Sequence, residues 1–154
     1  LALYYESLCP YCSNFIVNYL PKIFIDIVDF KLFPWGNTKL KANNTFKCQH
    51  GPGECFLDTV EACAIDAFPD LNDHFPFIYS VEILVYHKNY SQWETCFEKT
   101  EFEGKELQLS TSTILKHKYV PSVVVDGQPL YDDYKDFISF ICKAYKRNCS
   151  SPRL

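Results

Sequence analysis

Cys9-Pro10-Tyr11-Cys12 holds the residues best suited to do chemistry. Cysteines at this spacing can bring their sulfurs together within one helical turn, which is the requirement for a dithiol that opens and closes a disulfide. The pair follows a strand-like apolar run and opens a helix-like stretch. A helix start carries unsatisfied N–H groups and partial positive charge, which favour a thiolate at Cys9. Pro10 suits the first turn, where its missing N–H would have no partner. Half of a zinc site is the rival use of C-x-x-C, but no second C-x-x-C and no H-x3-5-H accompanies it, so no metal is expected. An inert structural disulfide is the other alternative. The redox use predicts Cys9 as the more exposed and more acidic attacking thiol and Cys12 as the buried resolving one.

The elements that must position this pair are legible at both ends. Residues 1–5 read as a strand, 9–24 as a helix kinked at Pro21, and 27–33 as a second strand. Near the C-terminus, 123–125 read as a strand, Asp126-Gly127 as a hairpin turn, 128–131 as the returning strand, and 134–146 as an amphipathic helix. The ends thus read β-α-β and β-β-α, the two halves of an α/β, thioredoxin-like fold with a mixed four-stranded sheet. Residues 1–38 and 119–147 make that core, 39–118 an inserted, cysteine-rich, mostly helical subdomain, and 148–154 a tail. Within the insert, 54–68 and 75–86 carry helical spacing and 98–115 reads as a loop. In such a fold a cis proline begins the strand facing the dithiol, and its neighbouring backbone can bind an extended substrate. Val120-Pro121 stands where that cis bond belongs.

Composition narrows the setting. The chain has 154 residues, 47% of them apolar, with 13 Phe and 11 Tyr, enough for a real core. Most of these aromatics read as core rather than as a substrate groove. The net charge is −4 with no basic run, which argues against nucleic acid, and no apolar stretch is long enough to span a membrane. Asp132-Asp133 read as a solvated helix start. No signal peptide is visible, and Leu1 already lies in a strand-like run, which suggests a mature chain trimmed at its start. Six further cysteines, Cys48, Cys55, Cys63, Cys96, Cys142 and Cys149, are expected in structural disulfides. Sequons begin at Asn43, Asn89 and Asn148. Together they point to the secretory pathway and a glycoprotein.

The stretch from Cys48 to Cys63, reading C-Q-H-G-P-G-E-C-F-L-D-T-V-E-A-C, is the most specific of the chain. It resembles the C-Q-H-G-x2-E-C-x2-N-x4-C signature of the gamma-interferon-inducible lysosomal thiol reductase family, in wording close to the plant members. With the C-x-x-C upstream and Val120-Pro121 downstream, the resemblance covers almost the entire chain. It implies a reductase of protein disulfides that needs no cofactor, draws on an external thiol reductant, and works in a lysosome, a vacuole or outside the cell. A glutaredoxin-like enzyme is the first rival, although no Gly-Gly follows the last strand to seat glutathione. A non-catalytic, disulfide-stapled secreted module is the second, and a dithiol oxidase or isomerase the third.

Asp58 departs from the signature's Asn, and Ser80 stands where the family carries a cysteine. The segment after Cys96 is short and lacks another. Two family cysteines are thus missing together, either as one lost pair or as two broken bridges. The resemblance puts the absent partner just beyond Cys96, so Cys96 is expected to be free, with Cys149 the other thiol left over, unless Cys96 pairs with a distant cysteine of the even six. His50 reads as a turn residue bonding its own loop, with a proton shuttle near the dithiol as the alternative. Cys55 and Cys63 should not bond to each other, because eight residues of helix separate them by about 12 Å. Acid imposes a further requirement: a thiol of pKa about 8.5 is ionised to on the order of one part in three thousand at pH 5.

Overall fold

The computed structural model describes residues 1–22, 28–42, 45–100 and 119–144. β1 (Ala2–Tyr4) leads through a short turn into α1 (Pro10–Asn18), and β2 (Lys31–Phe33) returns parallel to β1. β3 (Lys39–Leu40) and β4 (Phe46–Lys47) form a small antiparallel hairpin. Two long helices follow, α2 (Pro52–Ala67) and α3 (Leu71–Tyr86), then the short α4 (Thr95–Lys99). β5 (Ser122–Val125), β6 (Gln128–Pro129) and α5 (Phe137–Ala144) close the described chain. The sheet order is β2-β1-β5-β6, with β5 antiparallel to both of its neighbours, so this is a mixed four-stranded sheet in an α/β chain.

Local chemistry accounts for most boundaries. Pro52 opens α2 and the Asp70 side chain accepts the Asn72 N–H at the start of α3, 2.8 Å away. Asp126 and Gly127 both take positive φ, 48° and 76°, the geometry a two-residue hairpin requires. Val125 pairs with Gln128 across that turn.

Other expectations need correction. α1 does not continue through a kink at Pro21; it stops at Asn18, and Leu20–Lys22 is a 3-10 turn. A proline has no N–H to continue the ladder and disfavours helix in the residue before it. β2 begins only at Lys31, because β1 offers partners from Ala2 to Tyr4 alone. β6 ends at Pro129, which cannot donate to a neighbour, and Tyr131–Asp136 is a 3-10 helix rather than strand or α-helix. α3 starts four residues earlier than its apolar spacing suggests and carries Pro76 inside it. Glu98 and Lys99 belong to α4, not to a loop, Thr100 caps that helix, and residues 101–115 of the expected loop lie outside the described residues.

One apolar cluster joins the sheet to the helices. Leu3, Phe15, Ile16 and Leu20 pack with Phe77, Ile78 and Val81 of α3, with Val123 of β5 and with Phe137 of α5, all nearly inaccessible. Among the described residues one disulfide forms, Cys48–Cys55, with Cα atoms 5.5 Å apart. Cys55 and Cys63 are not bonded to each other, as the continuous helix requires. Cys63, expected in a bridge, is a buried thiol instead, and Cys96 is a buried free thiol, the outcome expected from the loss of its nearest partner. Cys55 has taken Cys48, and Cys63 lies two turns further along α2, beyond its reach. Cys142 is half-buried on α5, and Cys149 lies outside the described residues.

Cys96 has a different neighbour from the one expected. The Ser80 hydroxyl of α3 hydrogen-bonds its thiol, although burial keeps that thiol above its ordinary pKa. Position 80 therefore faces Cys96 directly. Ser80→Cys should close a disulfide to Cys96 on oxidation and stabilise the fold by about 3 kcal/mol, the scale for a loop of this length. Thiol counting with and without reductant, beside thermal melts of both forms, checks this.

Candidate dithiol site and its buried acids

Cys9 is the residue before the first turn of α1, and Cys12 lies one turn inside. The Cys9 N–H donates to the Glu6 carbonyl at 3.2 Å, which fixes the approach from β1, and the Ser13 N–H donates to the Cys9 carbonyl at 3.0 Å. Pro10 and Tyr11 stand outside, with Tyr11 69% exposed. Cys9 is 5% exposed and Cys12 wholly buried, so the order of exposure is the expected one but neither thiol projects into solvent.

The two thiols differ sharply. Cys9 is lowered to about 7. The Cys12 thiol, which hydrogen-bonds its sulfur, is the main cause; the backbone N–H groups of Cys12 and Tyr11 add to it, against burial and the Glu6 charge. Cys12 is pushed well above the ordinary thiol value by burial first, then by its bond to Cys9 and by Cys9's charge. A helix start thus supplies part of the stabilisation, but the partner thiol supplies the larger share.

Val120-Pro121 is cis, as expected. Tyr4 pairs with Ser122, so the register sets Pro121 beside the C-terminal end of β1, from which the chain runs to Cys9. Gly36 joins these pieces. Its N–H donates to the Tyr5 carbonyl at 2.8 Å, and a Cβ there would sit 2.5 Å from Glu6 Cγ and 2.6 Å from Val120 Cγ1. Only glycine lets Glu6 and Val120 close over it.

Beneath the dithiol lies a group of acids that sequence reasoning missed. Glu6, Glu54, Asp58, Glu61 and Glu82 are all fully buried. The Tyr5 hydroxyl donates to Glu61 Oε2 at 2.5 Å. Ser7 donates to Asp58 Oδ1 twice, from its N–H at 2.9 Å and its hydroxyl at 2.7 Å. Glu54 accepts the N–H groups of Gln49 at 2.9 Å and His50 at 2.8 Å, and bonds the His50 ring. Asn37 donates its N–H to Glu6 Oε1, and its side chain donates to Gln49 Oε1 at 2.9 Å. The signal was present: Glu54, Asp58 and Glu61 recur at i, i+4 and i+7, one face of α2, beside the apolar Leu57.

Burial holds Glu6, Asp58, Glu61 and Glu82 above the ordinary carboxyl range. It is the leading cause for Asp58, Glu61 and Glu82, and the mutual repulsion of the carboxyls adds to it at Asp58 and Glu82. Tyr5 is raised by burial and by Glu61. Among the described residues no lysine or arginine pairs with any of them. One oxygen of Asp58, one of Glu61 and both of Glu82 have no hydrogen-bond partner.

Two groups of side chains could in principle hold a cation. Glu6, His50 and Glu54 bring ligand atoms within 4.8 Å of one another, as do Cys48, Glu54 and Asp58. The second is ruled out by the Cys48–Cys55 bond. Of the sequon asparagines, Asn89 is exposed, while Asn43 and Asn148 lie outside the described residues. No helix among the described residues is long and apolar enough to cross a membrane.

A helix-start dithiol with one lowered and one raised thiol is chemically equipped for thiol–disulfide exchange. The chain belongs to the gamma interferon inducible lysosomal thiol reductase family, whose model matches residues 1–100. It is 39% identical to a gamma-interferon-responsive lysosomal thiol protein of Arabidopsis thaliana, over all of this chain and 74% of that protein. It is 32% identical to the gamma-interferon-inducible lysosomal thiol reductase of Carassius auratus, over 95% of this chain and 68% of the relative. The mouse reductase is 29% identical, over 95% and 67%.

The acids make a prediction with a definite sign. A carboxyl with a raised folded pKa holds its proton when the unfolded chain has released its own, so stability falls as pH rises. That stability is complete below the ordinary carboxyl range, near pH 4, and is lost as pH climbs through the raised values of Asp58, Glu61 and Glu82. Asp58→Asn should keep the Ser7 bonds through Oδ1 and remove one such group. Urea unfolding should show the variant more stable at pH 7 by about 1–3 kcal/mol, the scale of an unsatisfied buried polar group, with little difference at pH 4.

Proposed function

We propose that this protein reduces protein disulfides by thiol–disulfide exchange at Cys9 and Cys12, in an acidic compartment of the secretory pathway such as a lysosome or vacuole. The observation that carries the reading is the opposed acidity of the two thiols. A non-catalytic stapled module would have no use for that difference.

The Cys9 thiolate attacks one sulfur of the substrate disulfide. The S–S bond breaks, a mixed disulfide forms, and the departing sulfur leaves as thiolate and takes a proton. Cys12 then loses its proton and attacks the Cys9 sulfur, releasing the second substrate thiol and leaving a Cys9–Cys12 disulfide. Two electrons pass from the dithiol to the substrate. An external thiol reductant returns them, and no cofactor takes part. Only the thiolate attacks; with Cys9 at about 7, about one molecule in a hundred carries it at pH 5, some thirtyfold more than at pKa 8.5.

A thioredoxin-like core accords with the order β1-α1-β2 followed by β5-β6-α5 and with the mixed sheet. Residues 39–118 are then the insert, and its helices α2 and α3 supply Asp58, Glu61 and Glu82 to the underside of the site. Val120 and Pro121 border it and offer backbone groups to an extended substrate. The acid cluster supports the compartment, because its protons are retained most fully at low pH. The exposed Asn89 is a candidate for glycosylation.

An insulin-type disulfide reduction assay tests this. Cys9→Ser and Cys12→Ser should each abolish turnover. Cys12→Ser should accumulate mixed disulfides with substrate, and Cys9→Ser should not. Equal trapping by both variants, or turnover without Cys9, would remove the assignment.

A further inference from the structure

The Gln49-His50-Gly51 loop is the part of the family signature that the exchange reaction does not use, yet it is wired to the dithiol. The Cys48–Cys55 bridge closes it. Glu54 holds it from inside through the Gln49 and His50 N–H groups and the His50 ring, so both Glu54 oxygens are occupied. The same ring nitrogen stands 3.6 Å from Glu6 Oε2. Glu6 is fully buried, and Oε2 has no hydrogen-bond partner. Its other oxygen is occupied by Asn37, which in turn bonds Gln49. The Glu6 backbone carbonyl accepts the Cys9 N–H. The chain of contacts therefore runs from the signature loop through one carboxyl to the attacking cysteine.

We propose that His50 is a positioning residue for the dithiol, acting through Glu6: its ring orients the Glu6 carboxyl and offsets the charge that Glu6 presents to Cys9. This rests on the reading of Cys9 as the attacking thiol. A buried carboxylate beside Cys9 disfavours the thiolate, and the Glu6 charge does oppose the lowering of Cys9. A cation beside that carboxylate offsets part of its field at a third site, and the His50 ring is shared between Glu6 and its nearer partner Glu54. The Glu6 carboxyl is raised by burial first and also by the Glu54 charge, and is drawn back by the Asn37 N–H and by His50. Cys9 also faces Cys12 on its own helix, Glu82 of α3 and Tyr134 of the C-terminal 3-10 helix, and these remain in every variant. The same atoms could instead close on a divalent cation, but that would require displacing the bonds that already occupy Glu54.

The rate of Cys9 alkylation as a function of pH, in the full chain carrying Cys12→Ser, reads the effect without requiring turnover. His50→Ala should move the alkylation midpoint upward, lowering the reactive fraction at pH 6 about three- to tenfold. His50→Lys, which restores a cation, should recover most of it. Glu6→Gln should move the midpoint downward, and adding His50→Ala to Glu6→Gln should then change nothing. An unchanged midpoint in His50→Ala, or a His50→Ala effect that persists beside Glu6→Gln, overturns the proposal. So does stoichiometric binding of zinc by the Cys9→Ser/Cys12→Ser protein that is lost in Glu6→Gln, which would make the cluster a metal site. If alkylation behaves as expected while insulin reduction fails in the parent chain, the coupling stands and the assigned reaction falls.

Discussion

The connection from β1 to α1 runs through Tyr5, Glu6 and Ser7, and all three side chains are buried. None is held by apolar packing alone. Tyr5 bonds Glu61, Glu6 bonds Asn37 and faces His50, and Ser7 bonds Asp58. These contacts decide where α1 begins and therefore where Cys9 lies. They also tie α2 to the end of β1, across more than fifty positions of sequence. In a low-dielectric interior such bonds are strong when satisfied, and their orphaned partners are costly. The site is thus built on polar contacts whose strength depends on where the protons are.

That dependence links stability to chemistry. Were Asp58, Glu61 and Glu82 all ionised, their summed field would press against a thiolate at Cys9 and against one another. Burial prevents this by keeping them protonated. A neutral carboxyl can lie under a dithiol at little electrostatic cost, and it can donate a hydrogen bond that a carboxylate cannot. The same burial makes the folded chain a better proton binder than the unfolded one. An acidic compartment is then the condition under which the fold and the thiolate make the least conflicting demands.

What was legible in the chain was local. C-P-Y-C after an apolar run, Asp126-Gly127 between two short strands, and the cis bond at Val120-Pro121 each follow from a few adjacent residues. So does the separation of Cys55 from Cys63, which needs only helical rise. Prolines were harder: Pro21 ends a helix and Pro76 lies within one, and the difference is tertiary. The acids were hidden for a compositional reason. Glutamate on a helix ordinarily faces water, and only the packing of α2 and α3 beneath β1 turns Glu61 and Glu82 inward. The Ser80–Cys96 contact was hidden because it joins α3 to α4 across a turn no local rule predicts.

The two departures from the family signature now have different meanings. Asp58 replaces an amide with an isosteric acid at a position whose first oxygen serves Ser7 and whose second has no partner. Its shape is kept, and what changes is the pH range over which the shape is inexpensive. Ser80 stands beside Cys96 and offers it a hydroxyl where a cysteine could close a disulfide. That change acts on the unfolded chain, by leaving a loop unclosed, and hardly at all on native geometry. Neither substitution touches Cys9, Cys12 or the Glu6–His50 contact. Both therefore alter how firmly the frame is held while leaving intact the frame that aims the dithiol.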